Sequence, residues 1–390
     1  MRKSFVLIIT IFLCFSIQSQ IQNTEKTFVL DAQISGLEIG DTLIADHVLL
    51  PDYKEEFIDT IFVEQQGKFT YKKPLSHTSL IIFIHMPKGR PPIETSLRGA
   101  SILAAPGDLV NIKGSVEYFA AVQKSGGFYS DAVIAKFDHL DTSFDISMID
   151  AFRKISDARK TQQTDSINKY IQIYNNLTSP QELKDVRNYI INDIHNNEFS
   201  AYLYLSRLHD TTFKELNERY AKYTSEIQAS YMGKRLNHML KVLKNIEVGS
   251  RPSDFTVTDI NNSKIKLSDY KGKYVLIYNW GPCAATIWIH PQITDLYKKF
   301  NNKGFEIIGF SRKDYSKDYI GVEELKDLLS LHPWTTVYTE NEGNGFIGED
   351  LYFAGMPILM LISPDGTTLT RGYTEVFEPT KKILEENLEN

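Results

Sequence analysis

Of the two cysteines in the chain, only Cys283 lies beyond residue 19, in the run Trp280-Gly281-Pro282-Cys283-Ala284-Ala285-Thr286. A thiolate attacks a disulfide sulfur or a peroxide oxygen and becomes a mixed disulfide or a sulfenic acid. With no second thiol to resolve that product, an external thiol must release it. If a helix begins at Cys283, the unpaired N–H groups and the positive dipole end of its first turn favour the thiolate. Thr286 then lies one turn on, with its hydroxyl in reach of the sulfur. His290 falls two turns along, about 10 Å away. That is too far for a direct imidazole–thiolate pair, so His290 reads as a capped or solvent-facing residue before Pro291.

No other chemistry competes with the thiol. His47, His77 and His85 are scattered through a β-rich stretch without metal-ligand spacing, and there is no glycine-rich phosphate loop, so no cofactor and no metal are expected. The net charge of −6 is mild and no Lys/Arg run exceeds two residues, which argues against nucleic acid as a partner. Apolar residues make up 42% and charged residues 24% of the 390, the balance of a globular chain long enough for two or three domains.

Residues 1–19 read as a Sec signal peptide, with Arg2 and Lys3 ahead of an apolar stretch over 5–17 that is too short to span a bilayer. Leu13 precedes Cys14 where a lipobox has a small residue, which argues against a lipoprotein. The expected location is the periplasm or cell envelope. Export to an oxidising compartment usually brings paired cysteines, so a mature chain with one holds no internal disulfide.

The elements that must position Cys283 fall into three blocks. Residues 22–125 predict an all-β module, with strand-like runs at 28–34, 57–63, 80–84 and 109–112 separated by turn signals at Gly36, Gly40, Gly67 and Pro106-Gly107. Residues 126–247 change to a helical period. Ser179-Pro180-Gln181-Glu182 predicts a capping box ahead of the stripe Leu183, Val186, Ile190 and Ile194, and Thr212 to Glu215 repeats the signal. These stripes read as packing faces or a dimerisation surface. Residues 248–390 predict an α/β domain with strands near 274–280, 305–310 and 358–363. A Pro364-Asp365-Gly366 turn leads into a hairpin edge, and a helix closes the chain over 379–388.

This last block resembles the TlpA/ResA-like branch of the AhpC/TSA–thioredoxin superfamily over roughly 140 residues. The resemblance is carried by Val248-Gly249, Pro252 and Asp254-Phe255, by the run from Leu267 to Ile277, by Gly304-Phe305-Glu306-Ile307-Ile308-Gly309, by Gly355-Met356-Pro357, and by Ser363-Pro364-Asp365-Gly366. It implies a thioredoxin-like fold, preceded by the β-module and helical region often found in exported members. It also implies thiol-disulfide exchange, a cis-Pro357 facing the sulfur, and a Met356 backbone available to a substrate strand. Trp280 and Met356 become the substrate-binding residues, and Cys283, Thr286 and Pro357 the catalytic ones. The family's Trp-Cys-x-x-Cys admits two alignments here. One loses a loop residue and makes Cys283 the nucleophilic cysteine, with Thr286 in place of the resolving one. The other makes Cys283 the resolving residue. Pro291, eight residues after Cys283 as in the family, favours the first. Tyr278 falls where family members often bury an acid, so the resemblance supplies no proton relay.

Three readings follow. Cys283 exchanges with protein thiols or disulfides of the envelope and is released by an external thiol reductant. Alternatively, the domain is a degenerate binding module with an incidental cysteine. A Cys-x-x-Thr after a strand also resembles glutathione peroxidases, whose Gln and Trp partners have no evident counterpart in this sequence.

Overall fold

The computed structural model describes residues 26–50, 54–89, 99–208, 211–281, 283–312, 333–341, 344, 347–353 and 355–389. The β-module contains β1 (Lys26–Ser35), β2 (Thr42–Leu49), β3 (Lys54–Phe62), β4 (Lys68–Leu75), β5 (Ser79–Met86), β6 (Ala100–Ala104), β7 (Leu109–Ser115) and β8 (Gln123–Gly126). They form two four-stranded sheets, ordered β4-β1-β7-β8 and β3-β2-β5-β6. Alternation decides which faces meet: Phe28, Leu30, Ala32 and Ile34 of β1 are buried while their neighbours are more open, the period-2 pattern of a half-buried strand. The result is a sandwich, as the sequence leads one to expect.

Seven helices follow: α1 (Ala132–Lys160), α2 (Thr164–Asn176), α3 (Gln181–Asp193), α4 (Glu198–Leu205), α5 (Phe213–Tyr220), α6 (Ser225–Ala229) and α7 (Tyr231–Ile246). The capping box at Thr212 forms: its Oγ1 accepts from Glu215 N at 3.2 Å, and Glu215 Oε2 accepts from Thr212 N at 2.9 Å. The one expected at Ser179 does not. Pro180 is the N-cap of α3 and its carbonyl accepts from Lys184 N at 3.1 Å, which leaves Ser179 one position too early to reach the first free amides. Leu183 and Ile190 are nonetheless fully buried, so the stripe packs inward.

The C-terminal sheet has the order β13-β12-β11-β14-β15. Its strands are β11 (Tyr274–Asn279), β12 (Phe305–Ser311), β13 (Thr335–Tyr338), β14 (Ile358–Ile362) and β15 (Thr368–Gly372), with the short hairpin β9 (Thr256–Thr258) and β10 (Lys264–Lys266) beside it. β11, β12 and β13 run parallel, while β14 and β15 are antiparallel to their neighbours. α8 (Ala284–Phe300) leaves the end of β11, a short α9 (Ile347–Asp350) precedes the loop into β14, and α10 (Phe377–Leu388) closes the chain. β11 and β14 are buried on both faces, hence their unbroken apolar runs. One face carries Leu276, Tyr278, Leu359 and Leu361 against Ile289, Ile293 and Phe300 of α8 and Leu384 of α10. The other face carries Ile277, Ile308, Phe310 and Met360 into a core that continues through the helices to the sandwich.

Arg235 of α7 ties the three regions together. Its guanidinium donates to the carbonyl of Leu50 at 2.8 and 2.6 Å and pairs with the buried Glu349 of α9 at 2.7 Å. The sulfur-facing loop that follows α9 is thereby held against both preceding regions.

Candidate functional site: one thiol over a buried tyrosine–histidine pair

β11 delivers the chain to the sulfur. Trp280 N donates to Phe310 O at 2.9 Å, prolonging the strand pairing, and Cys283 becomes the N-cap of α8 in extended conformation. Its thiol is partly exposed and makes two contacts: Thr286 Oγ1 at 3.4 Å and the carbonyl of Met356 at 3.5 Å, which accepts from Sγ. Thr286 is fully buried, so its hydroxyl is held beside the sulfur by the core. The Met356–Pro357 bond is cis. The loop is fixed by Asn279, whose Nδ2 donates to Gly355 O at 2.9 Å. Gly355 itself is required: a Cβ there would come within 2.9 Å of the Tyr373 ring. Cys283, Thr286 and Met356 therefore meet at one point, with the cis-bonded Pro357 next in the chain, although the Met356 carbonyl is engaged by the thiol.

Trp280 lies elsewhere than expected. It is 4% exposed and its indole packs edge-on against His290 with 5.7 Å between ring centres. The reason is the strand period: Tyr278 and Trp280 are two apart and share the face that looks onto α8. Gly309 makes room for it, since a Cβ there would lie 2.6 Å from Trp334 Nε1 and 3.3 Å from Trp280 Nε1. The exposed apolar side chains early in α8 are instead Ile287 and Trp288, the latter 59% exposed. Both lie within five residues of Cys283, a signal the sequence carried.

His290 is the larger correction. It is 1% exposed rather than solvent-facing, and its Nδ1 lies 3.1 Å from the hydroxyl of the fully buried Tyr278. Trp280 and Trp334 pack against its ring. Thr286, Ile289, His290 and Ile293 follow helical spacing along the inner face of α8, and that pattern could have placed His290 inside. Burial pushes the Tyr278 hydroxyl well above the ordinary phenol range, and negative charge on the nearby Cys283 adds to the rise. Tyr278 is thus held neutral near the sulfur, with its hydroxyl against the His290 ring.

A mixed sheet with a helix leaving its central strand at a cysteine, and a cis-proline loop whose Met356 carbonyl meets that cysteine, defines a thioredoxin-fold domain. Its homologues include ResA-type thiol-disulfide oxidoreductases. Thiol-disulfide oxidoreductase ResA of Bacillus thuringiensis subsp. konkukian is 29% identical over 154 residues, 37% of this chain and 79% of that protein. The family described as Glutathione peroxidase matches residues 253–345. Glutathione peroxidase 1 of Helianthus annuus is 38% identical over 78 residues, 20% of this chain and 47% of that protein. Among solved structures, the thioredoxin domain of a thiol-disulfide oxidoreductase from Bacteroides vulgatus is 24% identical, covering 35% of this chain and 96% of its own, with a TM-score of 0.29.

Proposed function

We propose that this protein is an exported thiol-disulfide oxidoreductase of the cell envelope that works with Cys283 alone. The observation that supports it best is the setting of the sulfur. It is partly exposed at a helix N-cap, with a buried hydroxyl at 3.4 Å and the Met356 carbonyl at 3.5 Å. The Cys283 thiolate attacks a disulfide on a client protein, forms a mixed disulfide and expels the other sulfur as a thiolate. An external thiol then attacks that mixed disulfide and regenerates Cys283. Tyr278 stays neutral near the sulfur, with its hydroxyl on His290. Ile287 and Trp288 offer the client an apolar surface beside the reaction.

The test is reduction of a protein carrying a mixed disulfide, in the presence of excess small thiol. Wild-type protein releases the client thiol and Cys283→Ser does not. Equal rates for the two would overturn the reading.

The match to the glutathione peroxidase family favours a second reading, in which Cys283 reduces a hydroperoxide and passes through a sulfenic acid. Consumption of hydroperoxide together with sulfenylation of Cys283 supports it. Failure with several hydroperoxides at concentrations of about 1 mM, near the upper end of ordinary KM values, rejects it.

A further inference from the structure

We propose that Asn279 is a positioning residue for Cys283. Its one hydrogen bond to the carbonyl of Gly355 sets where the neighbouring Met356 carbonyl stands beside the sulfur, and so governs both the reactivity of the thiol and the docking of a client strand. The proposal rests on the single-cysteine reading and adds to it the residue that aligns the loop with the thiol.

Asn279 is out of character for its place. It ends β11, and alternation sets it on the face of the sheet that carries Val275 and Ile277, opposite Tyr278 and Trp280. At 9% exposure it is the one amide in a run that is otherwise apolar or aromatic from Val275 to Trp280. Burying an amide is unfavourable unless it is bonded. Asn279 pairs with Ile358 in the sheet register, which brings its side chain to the loop ahead of β14, and there its Nδ2 donates to Gly355 O at 2.9 Å. Pro357 has no N–H to give the sheet, so this end of the loop takes its anchor from a side chain. On another side Gly355 abuts the Tyr373 ring, which leaves the loop little room to shift that way.

What depends on the anchor follows from the protons at the sulfur. The thiol has one proton and donates it to Met356 O at 3.5 Å, so Thr286 Oγ1, at 3.4 Å, is the donor in its own contact with Sγ. A thiolate keeps the Thr286 bond and loses the other. It then faces a carbonyl oxygen with no proton between them, while that oxygen is released to accept an N–H from an extended client chain. A carbonyl pressed closer holds the proton on sulfur; one that drifts away leaves the client nothing to pair with. The reach of Asn279 decides between these.

The test compares single-turnover rates of two reagents on the full-length chain. One is hydroxyethyl disulfide, which has no backbone; the other is an extended peptide whose single cysteine carries the hydroxyethyl mixed disulfide. In each, Cys283–S⁻ forms one S–S bond as the reagent's S–S bond breaks and a thiolate leaves. Asn279→Leu should react faster with the small disulfide and slower with the peptide, so that the peptide-to-small ratio falls about tenfold, the scale of one hydrogen bond lost. Simple loss of folded protein lowers both rates together. Asn279→Asp keeps the shape without the donor at neutral pH and should show the same fall. In case both variants misfold, the wild-type chain supplies its own readout: the Asn279 side-chain amide signals in NMR should shift when Cys283 is converted to its hydroxyethyl disulfide. An unchanged ratio in folded variants, or amide signals that stay in place, overturns the proposal. Wild-type protein that reacts with both reagents in that case leaves the single-cysteine reading standing. Wild-type protein that reacts with neither sinks that reading, and this proposal with it.

Discussion

The molecule contains two buried histidines, each hydrogen-bonded to a buried tyrosine, and they are built to different ends. In the β-module His47 Nε2 lies 2.9 Å from Tyr71 Oη, whose hydroxyl donates to Asp59 at 2.5 Å, and Lys73 pairs with the same carboxylate at 2.8 Å. The carboxylate fixes the direction of the chain: Tyr71 donates outward, so its oxygen can only accept from a protonated His47 Nε2. In the thioredoxin domain Tyr278 meets His290 at 3.1 Å with a thiol nearby. Burial keeps the proton on Tyr278. The first pair ends on a carboxylate at the edge of the sandwich, the second near the thiol.

The largest expected effect breaks the comparison at its functional end. Cys283→Ser should reduce exchange to background while leaving the urea midpoint close to wild type, since the sulfur is only partly buried. Activity that survives this change would show that the second pair serves structure alone.

The next effect concerns acid. Burial lowers His47 from the ordinary imidazole value of about 6.5 to about 4, against the opposing charge of Asp59. Between those values the unfolded chain binds a proton that the folded chain refuses, so stability falls as pH drops through that window, by up to about 3 kcal/mol. Hydrogen bonds from Lys73 and Tyr71 outweigh burial and hold the Asp59 carboxyl below its ordinary value, adding a further loss at lower pH. Urea titrations at pH 7 and near pH 4.5 should show the first loss, and His47→Gln should flatten it. A slope unchanged in that variant would remove His47 as its source.

Paired substitutions sharpen the contrast. Tyr71→Phe strips a hydroxyl that serves the buried His47 and the half-buried Asp59 and should cost about 2 kcal/mol, with exchange per folded molecule unchanged. Tyr278→Phe removes the hydroxyl near the sulfur and should slow exchange roughly tenfold at most, less than the hundredfold or more of direct proton-transfer catalysis. Equal exchange rates in the two variants would reduce both pairs to structural pins. The smallest effect is expected of Thr286→Val, which keeps shape and loses one hydrogen bond at the sulfur. It should slow alkylation of Cys283 severalfold, corresponding to about 1 kcal/mol.

Much of this was legible in the residues, and what was not has physical reasons. Alternation in β1 and the apolar runs of β11 and β14 announced their strands because burial acts on each residue locally. The capping signals were less secure: Thr212 caps its helix while Ser179 misses by one position, because Pro180 accepts the first helical bond. Around the sulfur, neighbours in sequence were read well and neighbours across the core were not. Cys283 and Thr286 lie on one helix turn, and the cis-proline loop came with the resemblance. His290 pairs with Tyr278 only because α8 lies over that face of the sheet, which no local pattern states. Trp280 went astray for the opposite reason: strand alternation places it with Tyr278, facing inward.

The most direct test of the central claim, that the fold presents Cys283 as a lone working nucleophile, is intact-mass analysis of the native chain after brief exposure to a small-molecule disulfide. One adduct, mapped to Cys283, formed rapidly and removed by excess thiol, is the expected result. A native protein that stays unmodified, yet reacts fully once unfolded in urea, would show a cysteine retired from chemistry.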